Sequence, residues 1–203
     1  MYKKITLLSA LLCTGIQYAS DITPRFKIEP PLLEIKPSYF FFWASPMKKI
    51  YNKGGFEIQC SASAPFCNYV DLYGSVGYRT VRGHALNSGE RTSLTVIPVD
   101  IGLKPVFNFC NRFYYFFAIG PRYFHFDQHN KSPYVDRTVK GNFIGLFLNT
   151  GFNVLLANCL SFGIFGEYSY EKNKVHPKMV NVYSNGNVQI GGLAFGGSVG
   201  YAF

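Results

Sequence analysis

The sequence predicts an all-β chain, an eight-stranded antiparallel up-and-down barrel that crosses a membrane with strands. The 203 residues hold 20 Phe, 15 Tyr and 20 Gly against 15% charged residues, a composition that favours strands and turns over helices. Eight stretches of about ten residues alternate apolar positions with small or charged ones, the period-2 signature of a strand at the length a tilted strand needs to cross a bilayer. The connections between them alternate short and long. Beyond residue 20 no apolar run is long enough for a spanning helix; the longest candidate, FYYFFAI at 113–119, is too short.

The first twenty residues, MYKKITLLSALLCTGIQYAS, read as a secretory signal peptide: Lys3 and Lys4 open it, Ile5 to Ile16 form its apolar core, and Ala19 or Ser20 marks the cleavage edge. Gln17 or Tyr18 departs from the small residue preferred three positions before the cut. Cys13 leaves with this leader, because Leu12 stands where a lipoprotein signal needs a small residue. Residues 21–31, DITPRFKIEPP, form a Pro-rich tail. The barrel then occupies 32–203, with strands expected at 32–43, 56–63, 70–79, 93–104, 112–124, 143–154, 160–171 and 189–203. The short connections are 64–69, 105–111 and 155–159; the longer ones, rich in Lys, Arg, Asn, Ser, Gly and His, are 44–55, 80–92, 125–142 and 172–188. Outer-membrane barrels have that asymmetry, with tight periplasmic turns and longer outward loops, which makes 21–31 a periplasmic tail.

One parity of each strand is free of Asp, Glu, Lys and Arg. It runs through Leu33, Ile35, Tyr39, Phe41 and Trp43 at the start and reaches Leu193, Phe195, Val199, Tyr201 and Phe203 at the end. The other parity carries Glu34, Lys36, Glu57, Asp71, Arg79, Asp100, Lys104, Arg112, Arg122, Glu167 and Glu171. In the last strand its positions are nearly bare: Gly192, Ala194, Gly196, Ser198, Gly200 and Ala202. A soluble lipocalin-like barrel would bury the apolar face. Small residues on the charged face suit a narrow lumen, and its near-balanced charges suit an interior ion-pair network of Glu57, Asp71, Arg79, Asp100, Lys104, Arg122 and Glu167. Trp43, Tyr78, Tyr123, Tyr168 and Tyr201 lie near strand ends on the apolar face, where aromatic girdles meet headgroups. The apolar face therefore points into lipid.

The leader, the alternating strands and the ending GYAF resemble the bacterial outer-membrane β-barrels of the small OmpA/OmpX-like type. DLYGSVGY, IPVDIGLKPVF, FAIGPRYF, FGEYSY and GGLAFGGSVGYAF are similar to a group of uncharacterised small barrels from chlamydia-like bacteria. The resemblance implies an outer-membrane location and contact with the lipid bilayer and lipopolysaccharide. It also implies that Val199, Tyr201 and Phe203 form the signal read by the barrel-assembly machinery.

Three short turns share a Cys–Asn or Asn–Cys pair, which puts Cys67, Cys110 and Cys159 on the periplasmic rim. They read either as inert thiols of similar hairpins or as disulfide partners in an oxidising compartment, within the rim or to another envelope protein. The resemblance adds weight to disulfide-linked envelope partners. Cys60, on the lipid parity, stays apart. His84, His125, His129 and His176 fall in the long connections and read as solvated surface rather than a metal site. His125, Asp127 and Ser132 could be drawn as the catalytic set of a lipid-modifying enzyme, but no spacing supports it.

The outward connections are basic, through Lys48, Lys49, Arg82, Lys131, Lys172 and Lys174 among others. That favours anionic neighbours, lipopolysaccharide phosphates ahead of sulfated host glycans, and an exported barrel has no route to nucleic acid. No cofactor is implied. The sequence thus points to a non-enzymatic structural or surface-interaction protein of the outer membrane, plugged by its interior charges, with a narrow porin-like channel and an outer-leaflet lipid-modifying enzyme as the alternatives.

Overall fold

The computed structural model of the chain describes residues 31–51, 53–67, 70–85, 89–110, 112–131, 137–156, 159–171, 173–174, 187–188 and 190–203. The leader at 1–20, the tail up to residue 30, Ser132, Lys172 and His176 lie outside the described residues, as do the side chains of Cys110 and Lys174. Eight strands close into a barrel: β1 (Leu32–Phe42), β2 (Gly55–Cys67), β3 (Val70–His84), β4 (Arg91–Cys110), β5 (Phe113–Asn130), β6 (Thr138–Leu156), β7 (Leu160–Tyr170) and β8 (Gly192–Ala202). Each pairs antiparallel with the next, and β8 closes on β1. A short helix, α1 (Ser45–Ile50), lies between β1 and β2, and Asn173–Lys174 pairs with Asn187–Val188 in a separate two-stranded ladder.

The register sets the shape of the cylinder. A path perpendicular to the strands leaves β6 at Val154 and passes Phe162, Val199, Ile35, Cys60, Val76, Val99 and Tyr123. It returns to β6 at Ile144, ten residues from its start. With ordinary strand rise and spacing, that stagger over eight strands means a tilt of about 41° and a backbone radius of roughly 8 Å, a bore that side chains can fill.

The outer surface at mid-height is apolar, with Ile35, Ile58, Ile101, Ile119 and Ile164 exposed. Exposed Tyr39, Phe56, Tyr78 and Tyr123 ring it on the long-loop side; Phe66, Phe107, Tyr201 and Phe203 ring it on the short-turn side. From Phe107 to Ile97 on β4 is ten residues, about 25 Å along the axis at that tilt, the height of the apolar band of an outer-membrane barrel.

Strands β3 to β6 outrun the boundaries expected from alternation. The wall they form continues about 15 Å past the upper ring, so the segments 80–92 and 125–142 are mostly strand. His84, His125, His129 and Arg82 therefore sit on strands rather than in loops. Above the ring the faces exchange chemistry. Val81, Leu94, Val96, Phe124 and Phe126 turn inward and join Phe40, Phe42, Ile190 and Ala194 in an apolar cluster. Helix α1, begun by a proline in its first turn, lays Met47, Ile50 and the following Tyr51 onto this cluster. Gly83 permits the contact, since a Cβ there would stand 2.7 Å from the Tyr51 ring. The chain leaves α1 through Gly54 at φ 64°, a left-handed conformation suited to glycine. The outer mouth is thus filled by a small core of soluble-protein type.

Candidate functional site: a plugged lumen and two rims

At membrane-band height the lumen is polar. The two charges on β4, Asp100 and Lys104, share the inward parity with Arg122 of β5, Glu167 of β7, Glu57 of β2 and Arg79 of β3, and all six are buried. Arg122 is forked onto Asp100, Nε to Oδ1 at 2.5 Å and Nη2 to Oδ2 at 2.6 Å, while its Nη1 meets Glu167 Oε1 at 2.5 Å. Glu167 also accepts from Asn149 at 3.1 Å and from Gln59 at 3.2 Å. Gln59 donates in turn to Glu57 at 2.8 Å, and Glu57 meets Arg79 at 3.4 Å. The Arg79 guanidinium stacks 3.5 Å over the Phe40 ring. One connected set thereby ties β2 to β7 across the bore.

A second set lies nearer the short turns. Glu34 pairs with Lys104 at 3.4 Å and accepts from Asn153 at 2.9 Å; Tyr114 bonds Asn153 and Ser161, each at 3.1 Å. Between the two sets the Lys36 ammonium is fully buried and finds no hydrogen-bond acceptor among the described residues. It is held instead over the rings of Phe165, Phe116 and Tyr73 at 4.6, 5.3 and 5.4 Å. The bare face of β8 makes room for these groups. A Cβ on Gly200 would come within 2.9 Å of Glu34 Cγ, and one on Gly196 within 2.7 Å of Ser38 Cβ.

Two charges with the lumen parity sit elsewhere. Arg112 is exposed in the turn before β5, because that strand starts one residue later than alternation suggests. Asp71 is half-buried at the short-turn end, facing Lys104 in the ladder, but the Lys104 ammonium reaches Glu34. The groups that sequence reasoning left out of the network include Glu34, Lys36, Gln59, Tyr114, Asn149, Asn153 and Ser161, and Ser75, which donates to Asp100 at 2.6 Å. The inward parity of each was the available signal.

On the short-turn rim Cys67 is exposed and Cys159 half-buried. Adjacent short turns stand a quarter of the circumference apart, about 12 Å on a wall of this radius, beyond the roughly 7 Å between Cα atoms that a disulfide spans. Val199, Tyr201 and Phe203 are exposed on the outer surface, the last two with rings 5.0 Å apart. On the other rim Lys48 and Lys49 lie in the last turn of α1, with Lys48 over the Trp43 ring at 5.3 Å; Arg82 lies in β3, and Lys131 is exposed just past β5. His125 Nδ1 bonds Asn142 at 2.7 Å across the outer face. No cluster of three metal-ligating side chains forms among the described residues.

No protein-family profile matches the chain, and no curated protein resembles it at a significant level. Solved structures do. The outer membrane protein OprG from Pseudomonas aeruginosa superposes with a TM-score of 0.65 at 13% identity, covering 89% of this chain and 98% of that one. The fold is that of the small outer-membrane barrels. Neisserial surface protein A matches with a TM-score of 0.56 at 13% identity over 85% of this chain and 97% of its own. The attachment invasion locus protein Ail of Yersinia pestis, in complex with the heparin analogue sucrose octasulfate, matches with a TM-score of 0.53 at 14% identity, covering 87% of this chain and 100% of that one.

Proposed function

We propose that the chain is an integral protein of a bacterial outer membrane, exported with loss of residues 1–20, and that its barrel has a structural or surface-interaction role. The observation that carries this is the outward apolar band between two aromatic rings, wrapped around an interior of paired charges. Only a bilayer rewards that inversion. The short turns then face the periplasm and the long wall of β3 to β6 faces outward. The lumen is plugged twice, by the ionic sets and by the apolar core under α1, which favours a scaffold over a porin-like channel. His125 is engaged by Asn142 on the outer face, which favours binding or structure over lipid-modifying catalysis. Contact with anionic surface groups is supported by the basic outer rim, and by the likeness to Ail, which has been seen with a heparin analogue.

Two further assignments belong to this reading. Val199, Tyr201 and Phe203, exposed at the periplasmic end of β8, serve as the signal for the barrel-assembly machinery. The separation of the rim cysteines favours bonds from Cys67, Cys110 or Cys159 to other envelope proteins over bonds among themselves. The reading is tested with the chain refolded in detergent. Semi-native gels are expected to show migration that changes on heating, and planar-bilayer recordings of the same folded material no stable conductance. Heat-independent migration overturns the barrel assignment, and a steady open channel overturns the plugged one.

A further inference from the structure

Above the upper ring the outward face of β3 to β6 is a convex polar surface whose rungs follow from the register. Arg82, Ser93, His129 and Thr138 are successive neighbours on one rung, and Thr80, Thr95, Asp127 and Lys140 on the rung below. His84 stands opposite Arg91 on the rung above. Ser93, the smallest of these side chains, is therefore the centre of a cross. Arg82 and His129 flank it at about 5 Å between Cβ atoms, and Arg91 and Thr95 stand about 7 Å away along its own strand. Like charges gathered in this way repel one another unless something anionic joins them. Asp127 on the rung below is already engaged, by Lys140 at 2.9 Å and His129 at 3.5 Å, and Glu90 is half-buried beside Arg91. Among the described residues no carboxylate forms an ion pair with Arg82 or Arg91.

The height of the cross narrows its occupant. Arg82 lies four residues past Tyr78 and Arg91 six residues past Ile97, about 10 and 15 Å beyond the ring. Phospholipid headgroups reach only about 5–7 Å past the hydrocarbon edge. The cross also faces sideways, along the membrane plane, rather than upward into bulk water. His129 is held aside by Asp127 and by Thr138 Oγ1 at 3.3 Å, so we propose that Arg82 and Arg91 beside Ser93 dock a phosphate carried on the saccharide headgroup of a glycolipid in the surrounding leaflet, the two guanidiniums supplying forked donors. This rests on the membrane reading above and names one of its partners.

The test uses the full refolded chain in detergent micelles. Bis-phosphorylated diglucosamine glycolipid and its dephosphorylated form are added in turn, and retained lipid is counted by native mass spectrometry. The pair Arg82→Gln/Arg91→Gln is expected to weaken binding of the phosphorylated lipid by about tenfold or more, since two charge-assisted contacts are lost. It should leave the dephosphorylated lipid unchanged. Arg82→Lys/Arg91→Lys should fall between, keeping charge without the fork, and Arg112→Gln, exposed on the short-turn rim, should stay within about twofold of wild type. Equal retention by wild type and Arg82→Gln/Arg91→Gln overturns the inference, as does equal binding of the two lipids. A sulfated oligosaccharide held more tightly than the glycolipid, in a manner dependent on these arginines, overturns it in favour of a soluble glycan. Heat-shifted migration of each variant shows that the barrel has formed, so these failures stay distinct from failure of the membrane reading.

Discussion

Replacing Arg122 with alanine removes the cation that Asp100 and Glu167 share at the centre of the bore, where all three side chains are buried. Two unit charges about 4 Å apart at an effective dielectric near 20 attract by about 4 kcal/mol. Breaking a buried pair by deleting one partner costs about 3–5 kcal/mol, because the partner's charge stays behind. Arg122 serves two carboxylates through contacts of 2.5–2.6 Å, so the loss is expected in the upper part of that range. Urea unfolding from lipid vesicles measures it. Trp43, the only tryptophan, lies just beyond β1 under the Lys48 ammonium at 5.3 Å, and its emission reports the loss of that surrounding on unfolding. Adding Asp100→Asn and Glu167→Gln to Arg122→Met removes the stranded charges and should recover most of the loss. A cost under about 1 kcal/mol for Arg122→Ala, or a triple variant no more stable than the single one, refutes the view that this network holds the cylinder together.

The two environments along one strand make a paired prediction. Ile101→Arg, outward at mid-band and exposed to lipid, should cost about 2–4 kcal/mol in the same unfolding assay. Thr95→Arg, six residues along β4 and above the ring, should change stability by no more than about 0.5 kcal/mol; similar costs at both positions refute the boundary between them. On the rim, replacing Cys67, Cys110 and Cys159 together by Ser should remove high-mass species from non-reducing gels of intact envelopes, and a wild-type chain that runs only as a monomer there ends the cross-linking proposal.

The barrel was legible because one parity stays apolar over strand after strand while charges keep to the other, as in β7, where Phe162, Ile164 and Tyr170 face out and Glu167 faces in. What was not legible was where β3 to β6 stop. Alternation marks a strand only while one parity stays apolar, and in β3 that parity ends at Tyr78. The strand runs on to His84 with the faces exchanged, Thr80 and Arg82 outward and Val81 inward. A reading that allows one parity only must register that exchange as a loop. The partners within the lumen were out of reach for a different reason. Glu34 finds Lys104 and Asn153 across the bore, and that pairing depends on the ten-residue stagger, which no single strand encodes.

The exchange of faces has a physical cause that makes it informative. A strand buried in lipid must turn its apolar side chains outward and satisfy its polar ones within the bore. The same strand in water must do the reverse and bury an apolar core. Crossing from one solvent to the other without a break in the ladder therefore forces the parity to switch at the boundary. Four neighbouring strands switch at one level, between Tyr78 and Thr80, Thr95 and Ile97, Tyr123 and His125, and Asn142 and Ile144. The switch lies one rung lower on β5 and β6 than on β3 and β4, since Ile97 stands opposite His125 and His125 opposite Asn142; the ten-residue stagger raises a rung by about 3 Å per strand from β3 to β6, so that step keeps the four switches at nearly the same height. Agreement at one height among strands so far apart in sequence is what a planar interface imposes, and it draws the outer surface of the membrane around the barrel independently of the aromatic ring.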